Sequence, residues 1–463
     1  MNRSAASAAR AAAPSSPPGP RLPLFGTLVG PRRDPLEMFQ RFAREYGDVT
    51  FFRLGSERCY FVNHPQYVRD VLVTNQRNFT KSRGLERAKK LLGEGLLTAE
   101  GQHHLRQRRL IQPSFHRERI AGYGAVMVDY ATRMRESWRE GESFDVAKEM
   151  MRVTLAIAGK TLFDTDVDSK ADEVGTAVTE VLESFWLNLL PGADLLERLP
   201  IPKLRRAHAA RRRLDALIYQ MIAERRASGR HHGDLLSMLV EATDEGPGAT
   251  GATDAPGAHM SDEQVRDEAM TLLLAGHETT ANALTWTLYL LSQSAATQRA
   301  LREEVDRVLA GRPAAFGDLA QLAFTRRVVT EGMRLYPPAW LVGRRAIAEY
   351  ALGDYTVPPR GIIFMSPFVM HRDARFYADP EQFDPTRWTP EFESALPKFA
   401  YFPFGGGARQ CIGEQFAWME AVLVLATIAQ SWRLELVPGQ RIVPQPLITL
   451  RARHGVRMTV RAR

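Results

Sequence analysis

One long helical segment sets a minimum size for the domain that this chain can form. Between Ser261 and Ser292 apolar residues recur with helical spacing, and Ser261 with Gln264 forms a capping pattern that starts a helix. Roughly 30 residues at 1.5 Å each give a helix of about 45 Å. Its titratable residues exclude a membrane span; they are Arg266, Asp267, Glu268, His277 and Glu278. We therefore expect this helix to cross a large domain.

The rest of the chain predicts a mainly helical domain with small sheets. Of its 463 residues, 44% are hydrophobic, which is enough for a large core. Residues 48–65, "DVTFFRLGSERCYFVNHP", predict a β-hairpin, and helical spacing then dominates to about residue 240. Residues 243–260 predict a domain linker or a long surface loop. Short alternating segments follow near the C-terminus, with a turn at His454 and Gly455.

The N-terminal segment and the two cysteines bear on where the protein resides. Residues 1–20 predict a disordered leader before a domain over 21–463, and no acid precedes Asp34. The same composition also describes an organellar transit peptide. Cys59 and Cys411 cannot form a disulfide framework, which favours a reducing, cytoplasmic setting. No apolar run reaches the roughly 20 residues of a transmembrane anchor. We expect Cys59 to be a packed core residue.

The formal charge of +8 comes from arginine, which outnumbers lysine 53 to 8. A positive charge of this size can favour binding to nucleic acid, to a membrane surface or to an acidic protein partner. The arginines are spread along the chain without a nucleic-acid motif, so we expect no nucleic-acid partner. The arginine-dense stretch 205–226 has an apolar stripe and predicts a helix with one solvated face; the stripe is Leu214, Leu217, Ile218 and Ile222.

Cys411 stands in an unusual glycine-rich segment, "YFPFGGGARQCIGEQFAWMEA", residues 401–421. A thiolate is a strong iron ligand, and glycines let a backbone approach a large flat cofactor. Backbone N–H groups and the start of the following helix can stabilise a thiolate. Arg409 can supply a cation for an anionic cofactor group. A cysteine in a turn can also be purely structural, so the spacing around it must decide.

That spacing resembles the haem-binding loop of the cytochrome P-450 family at every defining position: Phe404, Gly405, Gly407, Arg409, Cys411 and Gly413. The resemblance implies haem b, with Cys411 as the thiolate ligand of its iron. It implies that Arg409 pairs with a haem propionate and that Phe404 packs near the sulfur. It also implies the family's fold: mainly α with small β-sheets, in a single large domain whose long central helix lies over the haem.

A second segment, "LLLAGHETTAN" at residues 272–282, lies in the long helix. Gly276 inside a helix costs about 1 kcal/mol relative to alanine. The Thr279 hydroxyl can hydrogen-bond to the Ala275 carbonyl and loosen the turn there. The segment therefore describes a polar notch on an apolar helix. It resembles the family's oxygen-binding motif, which implies that Thr279 and Glu278 help deliver protons while O2 is activated.

The third segment, "VVTEGMRLYPP", places Glu331 and Arg334 three residues apart on one helical face, where they can pair. A later segment, "DPEQFDPTRW", supplies Pro380, Phe383 and Arg387 in the order that the family shows. The resemblance implies that Glu331, Arg334 and Arg387 form a buried network that holds the fold and does not take part in catalysis.

Two further basic segments resemble the family's propionate-binding positions. In "GQHHLRQRR" the best register gives His104 and Arg108, with His103 as the alternative to His104. Many relatives have tryptophan at position 104, so this assignment departs from the commonest pattern. In "PPAWLVGRRA" the resemblance favours Arg344 over Arg345, because relatives often carry an acid five residues after the propionate arginine.

The resemblance implies a monooxygenase that inserts one oxygen atom from O2 into a hydrophobic small molecule. One alternative is a member that uses peroxide or rearranges a hydroperoxide; such members often lack the threonine found at Thr279. Another is a haem protein without catalysis, in which the polar notch would have no purpose.

The segments expected to line the substrate pocket are largely aliphatic and indicate a fatty acid, a terpenoid or a similar molecule. They lie around residues 91–97, 185–190, 272–275 and 339–342, and the named positions are Leu96, Leu274, Ala275, Ala339, Leu341 and Val342. Little chain follows Cys411, so we expect electrons from a separate ferredoxin or flavodoxin with its reductase. We expect Arg106 and Arg109 to decorate the docking surface.

Overall fold

The computed structural model describes residues 16–20, 34–165, 171–184, 201–228, 234–242 and 260–463. Most of these residues are helical. The α-helices are α1 Pro35–Tyr46, α2 Pro65–Arg69, α3 Arg83–Leu92, α4 Gly101–Ile111, α5 Arg117–Ser137, α6 Val146–Phe163, α7 Ala171–Ser184, α8 Pro202–Ser228, α9 Leu235–Glu241, α10 Asp262–Ser292, α11 Ala295–Leu309, α12 Ala323–Leu335, α13 Pro367–Met370, α14 Pro390–Ala395 and α15 Glu414–Ala429. The prediction of a mainly helical fold is confirmed.

The predicted long helix is α10, and it begins as the sequence indicates. The Gln264 N–H donates to Ser261 Oγ at 3.2 Å, and the Ser261 N–H donates to Gln264 Oε1 at 3.0 Å. This capping box satisfies two of the N–H groups that the first helical turn leaves free. The helix continues to Ser292 and packs on α6, α8, α12 and α15. Arg266, Asp267 and Glu268, which follow the exposed first turn, are buried, so from there α10 runs through the interior of the domain.

The strands form small sheets at the edge of the helical core. They are β1 Val49–Leu54, β2 Glu57–Val62, β3 Phe79–Lys81, β4 Ser143–Asp145, β5 Val342–Ala346, β6 Tyr350–Leu352, β7 Tyr355–Val357, β8 Ile362–Met365, β9 Trp432–Leu436, β10 Pro444–Pro446, β11 Leu450–Ala452 and β12 Arg457–Ala462. The largest sheet has the order β1-β2-β8-β5-β3. The others are β4-β12-β9, β10-β11 and β6-β7.

The predicted hairpin consists of β1 and β2. Their antiparallel pairing places Val49 opposite Val62 at one end and Leu54 opposite Glu57 at the other. The helical prediction for residues 65–240 is wrong at β3 and β4, which are strands. β3 pairs with β5 and β4 with β12, so each depends on a partner far along the chain. Three-residue strands of this kind leave no periodic pattern that sequence reasoning could detect.

Beneath the largest sheet, α1 packs a cluster of aromatic rings against β1 and β2. Phe39, Phe42, Phe52 and Phe61 are all buried there. Cys59 belongs to the same cluster and is fully buried, as expected. Burial raises the pKa of its thiol to about 12, and the nearby Glu57 adds to that shift. Cys59 is therefore an inert packing residue.

The predicted leader, residues 1–20, is described only at its end. Residues 1–15 lie outside the described residues, but residues 16–20 lie against β1. The Phe51 N–H donates to the Pro18 carbonyl at 2.8 Å, and Pro17 is buried. A strand edge with free N–H groups gives such a proline-rich segment a binding partner. Most of the predicted loop at 243–260 lies outside the described residues.

Helix α8 has the solvated face that the sequence predicts. Leu214, Ile218 and Ile222 are buried and Leu217 is half-buried, while several arginines elsewhere on the helix, such as Arg212 and Arg213, are exposed. Within the described ranges, no helix is both long and apolar enough to cross a membrane.

Candidate active site

The Cys411 loop is closed by its own backbone before α15 begins. The Cys411 N–H donates to the Phe404 carbonyl at 3.0 Å, and the Gln410 N–H donates to the Gly407 carbonyl at 3.1 Å. Gly405 and Gly407 have φ of +72° and +69°, where side chains with a Cβ are strained. A Cβ on Gly407 would also overlap the Leu72 carbonyl oxygen. Glycine is therefore required at position 407 by the close contact with the Leu72 backbone, in addition to any contact with a cofactor.

The Cys411 thiol is accessible but lies in dense protein surroundings. It has exposed surface, yet burial raises its pKa to about 11. The nearby Glu414 acts in the same direction, while the Gly413 N–H and the Arg108 charge oppose it. The thiol alone therefore stays protonated near neutral pH. A metal cation bound to the sulfur would supply the charge that favours the thiolate.

The central part of helix α10 presents an accessible stretch between buried residues. Ala275 is exposed and Thr279 is half-buried. The Thr279 hydroxyl donates to the Ala275 carbonyl at 2.8 Å, which is the bond that the sequence predicts. Gly276 turns toward α6, where a Cβ would touch Leu162. The notch is thus formed by Ala275 and Thr279, and Gly276 serves helix packing.

Glu278 is buried and held by the C-terminal strands. Arg451 of β11 donates from Nε to Glu278 Oε1 at 2.6 Å. The Thr449 hydroxyl donates to the same oxygen, and Asn282 in turn donates to Thr449 at 3.1 Å. A buried carboxylate needs such partners. A role for Glu278 in proton delivery stays a prediction. It requires the hydrogen bond from Arg451 to the Glu278 carboxylate to loosen or break.

Several cationic side chains converge beside the Cys411 loop. β3 pairs Lys81 with Arg344 of β5, and both side chains are buried with His104. Burial and neighbouring positive charges lower the pKa of His104 to about 3 and the pKa of Arg344 to about 10. They also hold the pKa of Lys81 well below its usual range. Glu100 is the carboxylate among them: it accepts from the Lys81 N–H at 2.6 Å and from the Arg409 guanidinium. Positive charge is in excess here.

The structure separates the alternatives that the sequence left open. Arg345 lies in ion pairs with Glu57 at 3.1 Å and Glu86 at 3.0 Å, outside the cationic cluster. His103 lies 3.2 Å from the Glu94 carbonyl oxygen, also outside it. His104 and Arg344 are therefore the better candidates for an anionic cofactor group.

Arg108 lies between the cluster and the cysteine loop. Its Nη1–H donates to the Gln410 carbonyl at 2.8 Å, and its charge also lowers the pKa of His104. The prediction for Arg106 is wrong, because this side chain is only 5% exposed and cannot decorate a surface. Arg109 on the same helix is exposed.

Glu331, Arg334 and Arg387 lie in one buried network. Arg334 donates from Nε and Nη2 to the two Glu331 oxygens at 2.7 and 2.8 Å. Arg387 Nε donates to Glu331 Oε1 at 3.0 Å, and Trp388 Nε1 donates to Glu331 Oε2 at 2.8 Å. Arg334 also donates to the Pro380 carbonyl at 2.6 Å. The network joins α12 to the segment before the cysteine loop, which fits the predicted structural role.

Residues 17–453 match the model of the family described as Cytochrome P450. The chain belongs to the cytochrome P450 family. It is 40% identical to cyclooctatin synthase of Streptomyces melanosporofaciens over 93% of this chain and 92% of that one. Cyclooctat-9-en-7-ol 5-monooxygenase of the same organism is 38% identical, over 90% and 89% of the two chains. Pentalenene oxygenase of Streptomyces avermitilis is 34% identical over 96% of each.

Membership makes this P450 a haem-thiolate monooxygenase that acts on a hydrophobic substrate. The residues present fit haem b. Buried cations are costly unless anions face them, and the two propionates of haem supply the anions that the cluster around Lys81, Arg344 and Arg409 lacks. Cys411 supplies the soft ligand that iron prefers in this family. Propionate binding by His104, Arg108, Arg344 and Arg409 remains a prediction.

The predicted pocket positions fall into two groups. Ala275 and Ala339 are exposed and Leu341 and Val342 are half-buried, whereas Leu96 and Leu274 are buried in the core; their contact with substrate stays a prediction. Residues 185–190 lie outside the described residues. Sequence reasoning missed four polar residues at the site: Lys81, Glu100, Thr449 and Arg451. None belongs to a motif, and each is recognised only by its contacts across the fold.

Proposed function

We propose that this P450 hydroxylates a cyclic terpenoid. The observation that carries the proposal is similarity over about nine-tenths or more of each chain to three relatives, two of which are named as oxygenases. Two of those names specify an unsaturated cyclic alcohol and an unsaturated hydrocarbon as substrates of the relatives. The pocket positions expected here are all uncharged and mostly aliphatic, which suits a hydrocarbon skeleton with few polar groups.

Haem, when bound, supplies the redox chemistry of oxygen activation. The chain's own residues hold and orient the cofactor. Cys411 would provide the thiolate ligand of the iron, and Arg409 with the other cluster cations would hold the propionates. Ala275 leaves room beside α10, since a larger side chain there would fill the accessible stretch.

Thr279 is the residue of α10 best placed to handle a proton. Its hydroxyl is half-exposed at the notch and its partner is a carbonyl of its own helix. A hydroxyl that donates to a carbonyl still has lone pairs to accept a proton donor such as water. Glu278 follows in the chain and can exchange protons if its contact with Arg451 loosens. Electrons come from a ferredoxin or flavodoxin in the cytoplasm under this proposal.

Substrate-induced changes in the haem spectrum test the substrate class. The purified holoenzyme is titrated with cyclic terpenes, their mono-alcohols, steroids and fatty acids of equal carbon number. We expect cyclic terpenoids to displace the iron-bound water with at least tenfold higher affinity than the fatty acids. Turnover with O2 and a surrogate ferredoxin system then gives a product heavier by one oxygen atom. Tighter binding and hydroxylation of fatty acids would overturn the proposal, and turnover only with peroxide would favour the peroxide-dependent alternative.

A further inference from the structure

Glu100 stands at the N-terminus of α4, but its side chain does not cap that helix. Residues such as aspartate or serine at this position usually accept a hydrogen bond from the first helical turn, but Glu100 makes no such bond. Its Oε1 accepts from the Lys81 N–H at 2.6 Å, and its Oε2 accepts from Arg409. Arg409 also donates to the neighbouring Ala99 carbonyl. Two separate elements therefore hold the carboxylate inside the cationic cluster.

The charges near this carboxylate can be balanced against those of haem. Arg344, Arg409 and Arg108 are cationic, and propionates beside Lys81 would favour its charged form, which burial and the arginines otherwise disfavour. Two propionates would leave an excess of positive charge, and Glu100 reduces it by one. The Glu100 charge acts on Lys81, Arg344 and Arg409, whose proton affinities it raises. Glu100 thus sets the net charge next to the cofactor.

We propose that Glu100 is a tuning residue that keeps the reduction potential of the haem low from within the propionate-binding cluster. Reduction of ferric to ferrous iron adds one electron, and a nearby carboxylate disfavours that added negative charge. Hydrogen-bonding groups beyond the iron ligands and the burial of the site are established means of setting haem potentials. The inference rests on haem binding by the family, and it does not depend on the terpenoid substrate.

The Arg409 contact supports this role independently of any cofactor geometry. One guanidinium has five N–H donors, so Arg409 can keep Glu100 and Ala99 while it binds a propionate. The Lys81 backbone bond holds Glu100 in place even if Arg409 turns. A competing possibility is that the Arg409–Glu100 contact breaks when haem binds. The reduction potential of Glu100→Gln distinguishes a contact that persists from one that breaks.

The test is a potentiometric titration of substrate-free holoenzyme with Glu100→Gln. We expect the equilibrium constant for one-electron reduction to rise about tenfold, a positive shift of about 59 mV. Glu94→Gln is the matched control: it removes the same charge from the same segment, but Glu94 pairs with Lys89 at 2.7 Å and not with the cluster. Its potential should equal that of wild type. Lys81→Met removes a cation from the cluster and should shift the potential in the opposite direction.

Three outcomes would overturn the inference. The first is a wild-type potential in Glu100→Gln, as expected if Arg409 leaves Glu100 when haem binds. The second is a shift that disappears at high salt, since exposed charges are screened and half-buried ones much less. The third is a shift of the same sign in Glu100→Gln and Lys81→Met, which would indicate general disturbance. The thiolate absorption of the reduced carbon monoxide complex confirms that each variant is folded, and Glu100→Asp should keep most of the wild-type potential.

Discussion

At the scale of single residues, Thr279 shows how a side chain can belong both to its helix and to a site. Its hydroxyl donates to the Ala275 carbonyl at 2.8 Å, yet the side chain remains half-exposed in a helix whose other faces are buried. A bond to the carbonyl four residues back slightly loosens a helix. It also keeps the hydroxyl oriented so that its lone pairs face away from the backbone.

Thr279→Ala should uncouple oxygen consumption from product formation. The change removes the hydroxyl that can orient a proton donor and leaves the cysteine loop and the cationic cluster untouched. We expect a severalfold lower yield of product per electron and more peroxide released, with substrate affinity near that of wild type. Thr285→Ala is the control, because Thr285 makes the same bond to the Ala281 carbonyl at 2.7 Å in a buried position. Equal coupling in Thr279→Ala and wild type would contradict a role in proton delivery.

The sequence predicts those site residues whose spacing is local. Cys411, Thr279 and the Glu331–Arg334 pair fall within short segments, where a few fixed positions specify a turn or one face of a helix. Lys81 and Glu100 could not be predicted, because their roles depend on the pairing of β3 with β5 and on a contact with Arg409. Those contacts arise from tertiary packing, which leaves no trace in local spacing.

At the scale of elements, the start of α10 is fastened to the loop after α3. Arg266 Nη2 donates to the Leu91 carbonyl at 3.0 Å, and the Glu94 N–H donates to Asp267 at 2.7 Å. The Leu96 N–H donates to Glu268 Oε2 at 2.9 Å. Three consecutive residues of α10 thus provide hydrogen-bond partners for backbone groups of the last turn of α3 and of the loop that follows it.

This fastening should make stability depend on pH through Glu268. Burial raises the pKa of its carboxyl from 4.5 to about 8, opposed by the Leu96 N–H and aided by Asp267. The folded state therefore keeps a proton that the unfolded state loses above pH 4.5. Its contribution to the free energy of unfolding falls as pH rises from about 4.5 to 8, by at most about 1.4 kcal/mol per pH unit, and then levels off.

Glu268→Gln removes this titration while keeping an oxygen that can accept from Leu96. We expect the variant to gain stability relative to wild type as pH rises from 5 to 8, measured as the midpoint of urea unfolding. Glu263→Gln is the control, since Glu263 is exposed in the first turn of the same helix. Parallel stability profiles for wild type and Glu268→Gln would contradict the raised pKa.

At the scale of the whole molecule, the excess of positive charge bears on how electrons arrive. The chain carries a formal charge of +8. Helix α4 presents Arg109 and Leu105, which is 44% exposed, at the surface. On the same helix Arg108 donates to the Gln410 carbonyl beside Cys411. This α4 surface, defined by Leu105, Arg108 and Arg109, therefore borders the cysteine loop, where a short path for electrons to the haem would begin.

Reduction by an acidic ferredoxin should accordingly slow as salt is added. Opposite charges raise the encounter rate at low ionic strength, and added salt screens them over about 10 Å at 0.1 M. We expect Arg109→Glu to lower the reduction rate roughly tenfold at low salt and to approach wild type at high salt. Arg58→Glu is the matched control, because it makes the same charge change at an exposed arginine of β2. The rates are measured by stopped-flow mixing under carbon monoxide, so that each reduced haem is trapped and counted. If docking instead depends on apolar contact at Leu105, the rate will be flat with salt, Arg109→Glu will match Arg58→Glu, and Leu105→Ser will be the slow variant.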